Sequence, residues 1–159
     1  MKTKIRLAKL SEATSVTRLL NQVTLDLLEK GNKQWGYPWH QDQIVKEVGL
    51  GNVNLIVNEP EIIGVFFLRP APELTYLGSV DRSLYLNHIA ILPEFQGMGL
   101  GTKILGHCYD LSIYNQANIF LDCATSNTKL RGFYEKNRGQ FIGDFPKKDY
   151  QISLYRLSR

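Results

Sequence analysis

Residues 89–105 read IAILPEFQGMGLGTKIL, an apolar strand end, a proline and three alternating glycines followed by a helical pattern. Glycine inside an element normally lowers stability, so Gly97, Gly99 and Gly101 at the start of a helix need a physical reason. Free backbone N–H groups and the helix dipole make the N-terminus of a helix a binding site for anions. Glycines let a phosphate approach closely, and Thr102 adds a hydroxyl. The stretch therefore predicts a strand–turn–helix that binds a phosphorylated ligand.

Two common nucleotide-binding loops fit this stretch poorly. A Walker A loop requires Gly-Lys followed by Ser or Thr, whereas Gly101 is followed by Thr102 and Lys103 in the reverse order. A dinucleotide-binding loop requires G-x-G-x-x-G directly after the strand and an acidic residue about 20 positions further on. Asp122 lies at that distance, but the glycines run G-x-G-x-G and LPEFQ separates them from the strand. The first loop is rejected, and a nicotinamide-dinucleotide-binding oxidoreductase is kept as a weaker alternative.

The hydrophobic periodicity predicts a mixed α/β sheet in one domain over residues 1–159. The first helix has Ser11 as its expected N-cap. The predicted helices are 12–30, 41–48, 100–115 and 127–137, and the predicted strands are 4–9, a hairpin over 53–69, 83–92, 117–125, 140–145 and 150–157. Residues 32–40 are read as an aromatic loop and 70–81 as a proline-bearing connection. The crossover from strand 83–92 to strand 117–125 must join parallel neighbours.

The composition is that of a globular protein. Of the 159 residues 43% are hydrophobic and 21% charged, and no apolar run approaches the ~20 residues of a membrane span. The opening residues MKTKIRLAKLSEA lack the apolar core of a signal peptide. Cys108 and Cys123 occupy apolar faces, which suits core packing in a reducing compartment. We therefore expect a soluble, cytoplasmic protein.

The basic residues indicate an anionic ligand of small size. The net charge is +4, and lysines and arginines are spread along the chain without a dense tract or an aromatic-rich binding motif. This distribution suits a phosphorylated small molecule, and we expect neither nucleic acid nor a membrane as a partner.

Two motifs resemble the GNAT superfamily of acetyl-CoA-dependent N-acetyltransferases. The glycine core Q/R-x-x-G-x-G/A of that family is met by Gln96, Gly99 and Gly101, after a strand that ends in apolar-x-Pro-Glu. Downstream, NTKLRGFYEKNRGQF (127–141) resembles the second family motif, an Asn followed by a helix bearing Phe-Tyr and then Gly-Phe. The stretch NKQWGYPWH (32–40) is similar to the Gln-Trp segment of many bacterial members.

The resemblance implies a mostly antiparallel sheet with one splayed parallel pair, and acetyl-CoA as acetyl donor without a metal. Pantetheine would bind the backbone of Ile89 and Ile91, and Lys103 would be within reach of a CoA phosphate. The residues implied in cofactor binding are Ile89, Ile91, Gln96, Gly97, Met98, Gly99, Leu100, Gly101, Thr102, Asn127 and Tyr134. Asn127 is equally suited to be the N-cap of the following helix.

The implied reaction is direct attack of an amine on the thioester. Tyr134 matches the family tyrosine that donates a proton to the CoA sulfur. The base is open: His88 has a suitable unperturbed pKa, and Asp122 is a carboxylate in an apolar strand that must be partnered, hydrated or functional. Asp26 and Glu29 on the first helix, or deprotonation through water, are further alternatives.

The acceptor and the oligomeric state are not defined by the sequence. Trp35, Tyr37 and Trp39 fall where the family places the acceptor-side wall, and they either bind a substrate or anchor the loop. The acceptor is expected to be an amine of a small molecule or peptide. Relatives use their last strands for dimers, so a homodimer is compatible with the chain. An acetyl-CoA-binding sensor without turnover is the alternative from another functional class.

Overall fold

The computed structural model describes residues 1–71 and 83–157, and their elements follow the predicted order. The helices are α1 (Ala13–Glu29), α2 (Gln41–Gly49), α3 (Leu100–Tyr114) and α4 (Thr128–Lys136). The strands are β1 (Lys4–Leu7), β2 (Val53–Asn58), β3 (Glu61–Pro70), β4 (Ser83–Ile91), β5 (Asn118–Ala124), β6 (Gln140–Lys147) and β7 (Tyr150–Leu157). Most of the predicted connection 70–81 lies outside the described residues. No helix within the described ranges is long and apolar enough to cross a membrane.

The strands form one sheet in the order β1-β2-β3-β4-β5-β7-β6. The pairs β1–β2, β2–β3, β5–β7 and β6–β7 are antiparallel, and β4–β5 is parallel. The predicted mixed, mostly antiparallel sheet with one parallel pair is therefore confirmed. The predicted hairpin over 53–69 is confirmed as well, because β2 and β3 pair directly across a two-residue turn.

The parallel pairing is short. Its register runs from Ser83 opposite Asn118 to Tyr85 opposite Phe120, although β5 continues to Ala124. From Leu121 to Ala124, β5 keeps its antiparallel register with β7. An end of pairing at this point is what a splayed pair of strands requires.

The described chain divides into two compact units. Unit 1 comprises Met1–Leu68 and His88–Leu100, and unit 2 comprises Arg69–Asn87 and Gly101–Arg159, each without the undescribed residues. In unit 1, α1 buries one stripe of apolar residues because Val16, Leu20 and Val23 recur every three or four positions. The stripe packs with α2 and with β2 and β3 in a single apolar cluster. The prediction of one domain over 1–159 stays a prediction.

The core of unit 2 contains both cysteines. Cys108 of α3 is completely buried, Cys123 of β5 is 6% exposed, and both are free thiols. Burial raises the pKa of Cys108 to about 12 and that of Cys123 to about 11, so both thiols are protonated at neutral pH. The prediction that the cysteines pack in the core is confirmed.

The start of α1 differs from the prediction. The helix begins at Ala13 with Glu12 as its N-cap, after a short 3-10 helix (Leu10–Glu12), so the prediction of Ser11 as the cap is wrong. Both carboxylate oxygens of Glu12 accept hydrogen bonds of 2.8 Å from Arg6, and one also accepts from the Lys9 backbone N–H at 2.9 Å. The bidentate contact with Arg6 lowers the pKa of Glu12 to about 2.

The Arg6–Glu12 ion pair predicts a pH-dependent difference in stability. Glu12→Gln should lower the free energy of unfolding at pH 7 by about 1–2 kcal/mol, after allowance for solvent screening. A carboxyl with a lowered folded-state pKa stabilises the fold above its ordinary pKa of 4.5, and this contribution is lost as the pH falls through 2. Urea denaturation at pH 7 and pH 3 should show that the difference shrinks to less than half.

A matched control is Glu59→Gln. Glu59 pairs with Lys4 at 3.3 Å, but both side chains are about three-fifths exposed. We expect no measurable loss of stability at either pH. A Glu12→Gln difference that is the same at pH 7 and pH 3 would contradict the lowered pKa.

Candidate active site

The backbone conformation of the turn after β4 explains two of its three glycines. Gly97 and Gly99 have φ angles of +76° and +81°, a left-handed backbone that side chains rarely adopt. A Cβ at either position would have no heavy atom within 4 Å, so the turn leaves open space beside its backbone. α3 begins directly afterwards at Leu100. The open turn and the first N–H groups of α3 therefore match the predicted approach of an anion to a helix start.

The third glycine has a different role. Gly101 has no positive φ, but a Cβ there would lie 3.1 Å from the Phe133 ring of α4. Its missing side chain thus gives room for close packing within unit 2. The sequence interpretation, in which all three glycines give a phosphate access, does not identify this packing role.

The remaining residues of the turn are mostly exposed. Gln96 donates from Nε2 to the Ile91 carbonyl at 2.9 Å and so closes the turn onto the end of β4. Met98 is 57% exposed, and Thr102 and Lys103 are also exposed. Leu100 is buried, so its backbone is the part of this residue that a ligand can reach.

Tyr134 lies on the buried face of α4. Its hydroxyl donates to the Asp122 carbonyl oxygen at 3.2 Å, and its ring meets Tyr155 edge to face with 5.5 Å between centroids. Burial raises the pKa of the Tyr134 phenol well above its usual range, and Cys123 and Asp122 raise it further. The phenol therefore keeps its proton at neutral pH, and its hydroxyl is a hydrogen-bond donor.

Asn127 is the N-cap of α4. Its Oδ1 accepts a hydrogen bond of 3.1 Å from the Leu130 backbone N–H. The capping role that the sequence suggested for Asn127 is confirmed, and its predicted role at the cofactor stays a prediction.

Asp122 has a hydrogen-bond partner in unit 2. The Tyr85 hydroxyl donates to Asp122 Oδ2 over a very short distance. Tyr85 is the last residue of β4 in the parallel register with β5, so this contact lies where the pairing ends. The carboxylate in an apolar strand is thus partnered, which is one of the three explanations that the sequence left open.

Sequence reasoning missed Arg131, which lies on α4 three positions before Tyr134. Its Nε donates to the Tyr155 hydroxyl at 3.2 Å, and its Nη1 donates to the Thr125 carbonyl at 3.3 Å. Tyr155 is completely buried and is the neighbour of Tyr134. Contacts between α4 and β7 determine this arrangement, and no local pattern in the sequence reports them.

In unit 1 the loop between α1 and α2 forms a pocket with His88 of β4. The Trp35 and Trp39 rings lie edge to face with centroids 6.0 Å apart, and the His88 ring lies 5.8 Å from Trp35 and 5.2 Å from Trp39. The pocket has a volume of about 430 Å³ and is lined by Gln34, Trp35, Gly36, Tyr37, Pro38, Trp39, His40, Gln43 and His88. We call it the aromatic pocket.

Two features hold the aromatic pocket in shape. Trp39 donates from its indole Nε1 to the Thr24 hydroxyl at 2.9 Å and from its backbone N–H to Asn21 Oδ1 at 2.7 Å. His88 has a φ of +52°, which is unusual for a residue with a side chain, and its ring also packs on the buried Phe67 at 5.4 Å. Sequence reasoning did not identify Phe67, Thr24 or Asn21.

The predicted site residues are thus distributed over the two units. Unit 1 brings Trp35, Tyr37, Trp39 and His88 together around one pocket. Unit 2 holds Tyr134 next to the Asp122 backbone. In the described parts of the chain, no group of three or more His, Cys, Asp or Glu side chains is arranged to hold a metal ion.

Comparison with known proteins assigns the family. The family model described as "Acetyltransferase (GNAT) family" matches residues 18–140. The chain is 30% identical over 141 residues to the uncharacterized N-acetyltransferase YesJ of Bacillus subtilis (strain 168). This match covers 83% of this chain and 78% of YesJ. The chain therefore belongs to the GNAT acetyltransferase family.

Solved structures agree with this assignment. A GNAT-family acetyltransferase from Listeria monocytogenes 4b F2365 superimposes with a TM-score of 0.82 at 25% identity, over 97% of this chain and 93% of that one. A family member from Streptococcus agalactiae 2603 gives a TM-score of 0.76 at 19% identity, over 99% and 95%. The fold of yncA from Salmonella typhimurium, solved with its cofactor acetyl-CoA, is also similar, with a TM-score of 0.72 at 14% identity over 98% and 93%.

Family membership removes one of the functional classes that the sequence left open. The chain is an N-acetyltransferase with acetyl-CoA as its acetyl donor, as the resemblance implied. The nicotinamide-binding oxidoreductase is thereby removed as an alternative.

The left-handed turn predicts opposite effects of alanine at two glycines of the same region. Gly99→Ala should destabilise the protein by about 1–2 kcal/mol, because a Cβ disfavours a φ of +81°. Gly106→Ala is the matched control, since Gly106 is exposed in the middle of α3 and a Cβ there meets no atom within 4 Å. It should stabilise by about 0.5–1 kcal/mol. Urea denaturation measures both, and equal midpoints for the two variants would rule out the left-handed turn.

Proposed function

We propose that the protein transfers the acetyl group of acetyl-CoA to a primary amine by direct attack, with Tyr134 as the proton donor to the departing sulfur. The observation that carries the proposal is the position of the Tyr134 phenol, which is buried and protonated and whose hydroxyl lies at the Asp122 backbone of β5. A thiolate with a conjugate-acid pKa near ~8.5 is a better leaving group when a proton is supplied to it.

The donor is held by residues that the family motif assigns. The backbone of Ile89 and Ile91 binds the pantetheine arm, and the segment 97–102 binds the pyrophosphate. Support comes from the open, left-handed turn at Gly97 and Gly99 and from the exposed start of α3. Gln96 contributes by closing this turn onto the end of β4. Asn127 contributes to cofactor binding from its position at the start of α4.

The acceptor amine enters the aromatic pocket of unit 1. A free alkylammonium has a pKa near ~10.4, so it must lose a proton before its nitrogen can attack. His88 is the base that we favour, because its ring lines the pocket. Asp122 is the less favoured candidate, because the Tyr85 hydroxyl already donates to its carboxylate. Asp26 is less suited still, since it pairs with Lys30 at 2.9 Å.

The bond changes balance without a further reactant. The neutral amine nitrogen bonds to the thioester carbonyl carbon, the C–S bond breaks, and the sulfur takes the Tyr134 proton. The new amide nitrogen loses its extra proton to the base or to water, and Tyr134 recovers its proton from solvent. The products from the neutral amine are the N-acetylated amine and CoA thiol, and the one net proton released is the proton that the alkylammonium loses before the attack. A cytoplasmic location and a homodimer remain predictions of the sequence.

Tyr134→Phe tests the proton donor. We expect kcat to fall by about 10²–10³-fold while the Kd for acetyl-CoA changes less than about twofold, because the ring and its packing are kept. Free-thiol release gives kcat, and calorimetric titration gives the Kd. The control is Tyr150→Phe, which removes the hydroxyl of a 46% exposed tyrosine on β7 and should change neither value. An unchanged kcat from pH 6 to pH 10 would remove Tyr134 from the mechanism.

A panel of amines separates turnover from simple binding. The enzyme should release CoA thiol from acetyl-CoA faster when an acceptor amine is present, and the acetylated amine should appear in equal amount by mass spectrometry. Tight binding of acetyl-CoA with no thiol release for any amine or peptide N-terminus would favour the sensor instead.

A further inference from the structure

The aromatic pocket contains no fixed charge among its described lining residues. They include no Lys, Arg, Asp or Glu, and the titratable members are Tyr37, His40 and His88. Asp26, an acidic candidate from the sequence, is not part of the described lining and pairs with Lys30. A ligand in this pocket therefore meets aromatic rings, imidazoles and the amides of Gln34 and Gln43.

From this chemistry we propose that the acceptor is a monoamine whose amino group is carried on an apolar, preferably aromatic body without a carboxylate. The proposal rests on the proposed function, since it names the substrate class of that acceptor site. Against the aromatic rings of this pocket a carboxylate would lose part of its hydration without meeting a Lys or Arg among the described lining residues, which disfavours free amino acids. A polyamine would bring several positive charges to described lining residues that include no Asp or Glu, which disfavours that class too.

The ring geometry favours a flat apolar body. Trp35 and Trp39 stand at 80° to each other, and His88 stands at 87° to Trp39, so the rings form a corner with faces in different directions. An aromatic body packs on such rings in offset or edge-to-face contact, and an ammonium over an indole face gains a cation–π contact. The volume of about 430 Å³ falls in the range of small-molecule pockets, and the pocket is open, since its lining residues other than Trp35, Trp39 and His88 are exposed.

Trp39 contributes its ring surface and not its hydrogen-bond donor. The indole N–H is already taken by the Thr24 hydroxyl, and that hydroxyl in turn donates to the Leu20 carbonyl at 2.7 Å. The ring is thus positioned by α1 before any ligand arrives. Because its N–H is engaged, recognition of the acceptor by Trp39 depends on apolar and cation–π contact.

Acceptors matched in pairs test the proposal with the wild-type enzyme and saturating acetyl-CoA. Phenethylamine and phenylalanine share one aromatic body and differ by the carboxylate, and tryptamine and tryptophan form a second pair. We expect kcat/KM for each amine to exceed that of its amino acid by roughly 30-fold or more, because the described lining offers the carboxylate no Lys or Arg. Spermidine should be a poorer acceptor than either amine. A preference for the amino acids or for spermidine would overturn the proposal.

Variants of Trp35 test the location. Trp35→Ala should raise KM for phenethylamine roughly tenfold while leaving the Kd for acetyl-CoA unchanged, and Trp35→Phe should restore most of the affinity. The control is Tyr114→Ala, an aromatic that is 87% exposed on α3 and outside the pocket. It should leave both constants unchanged. An unchanged KM in a folded Trp35→Ala enzyme would overturn the assignment of the acceptor to this pocket.

Calorimetric titration of phenethylamine and phenylalanine into the protein, without acetyl-CoA, separates this inference from the proposed function. Binding of phenethylamine that is roughly 30-fold tighter than that of phenylalanine supports the acceptor class, even if no amine is acetylated. Acetylation of spermidine or amino acids in preference to the monoamines would keep the proposed function and overturn the acceptor class. Failure of both monoamines to bind or react would also overturn it.

Discussion

His88 lies within β4 with a left-handed backbone, and its ring packs against the other aromatic rings of the pocket of unit 1. A φ of +52° costs a residue with a Cβ about 1–2 kcal/mol, so it persists only where surrounding contacts determine it. The Trp35, Trp39 and Phe67 rings around His88 are such contacts, since each centroid lies within 6 Å of the imidazole. The same strand continues into Ile89 and Ile91, so one strand carries the imidazole and the backbone that we propose as the binding site of the donor.

In unit 2, buried Tyr134 both packs in the core and is the proton donor that we propose. The burial of Tyr134 that makes α4 pack against β5 is also what keeps its phenol protonated. Asp122 takes part twice, because its carbonyl accepts from Tyr134 and its carboxylate accepts from Tyr85. Arg131 completes the arrangement by donating to Tyr155. These polar groups around Tyr134 are therefore paired with one another, as buried polar groups require.

Much of this architecture could be predicted from the sequence because its causes are local. The spacing of apolar residues predicts the helices and strands to within a few residues. The glycine turn is predictable because Gly97 and Gly99 follow a strand that ends at a proline. The sequence does not predict the packing role of Gly101, because that role depends on the ring of Phe133, more than 30 positions away. The anchoring of Trp39 by Thr24 and the backbone of His88 are likewise consequences of tertiary packing. Such contacts join segments that carry no shared pattern in the sequence.

The tryptophans of the aromatic pocket have a practical consequence. Trp35 and Trp39 are the two tryptophans of the whole chain, and both line that pocket. Indole emission from the unlabelled protein therefore originates at one place. Because the Trp39 N–H is already bonded to Thr24, its surroundings are fixed on the side of α1 and open toward the pocket. The intrinsic tryptophan fluorescence of the protein therefore reports on ligands that bind in the aromatic pocket.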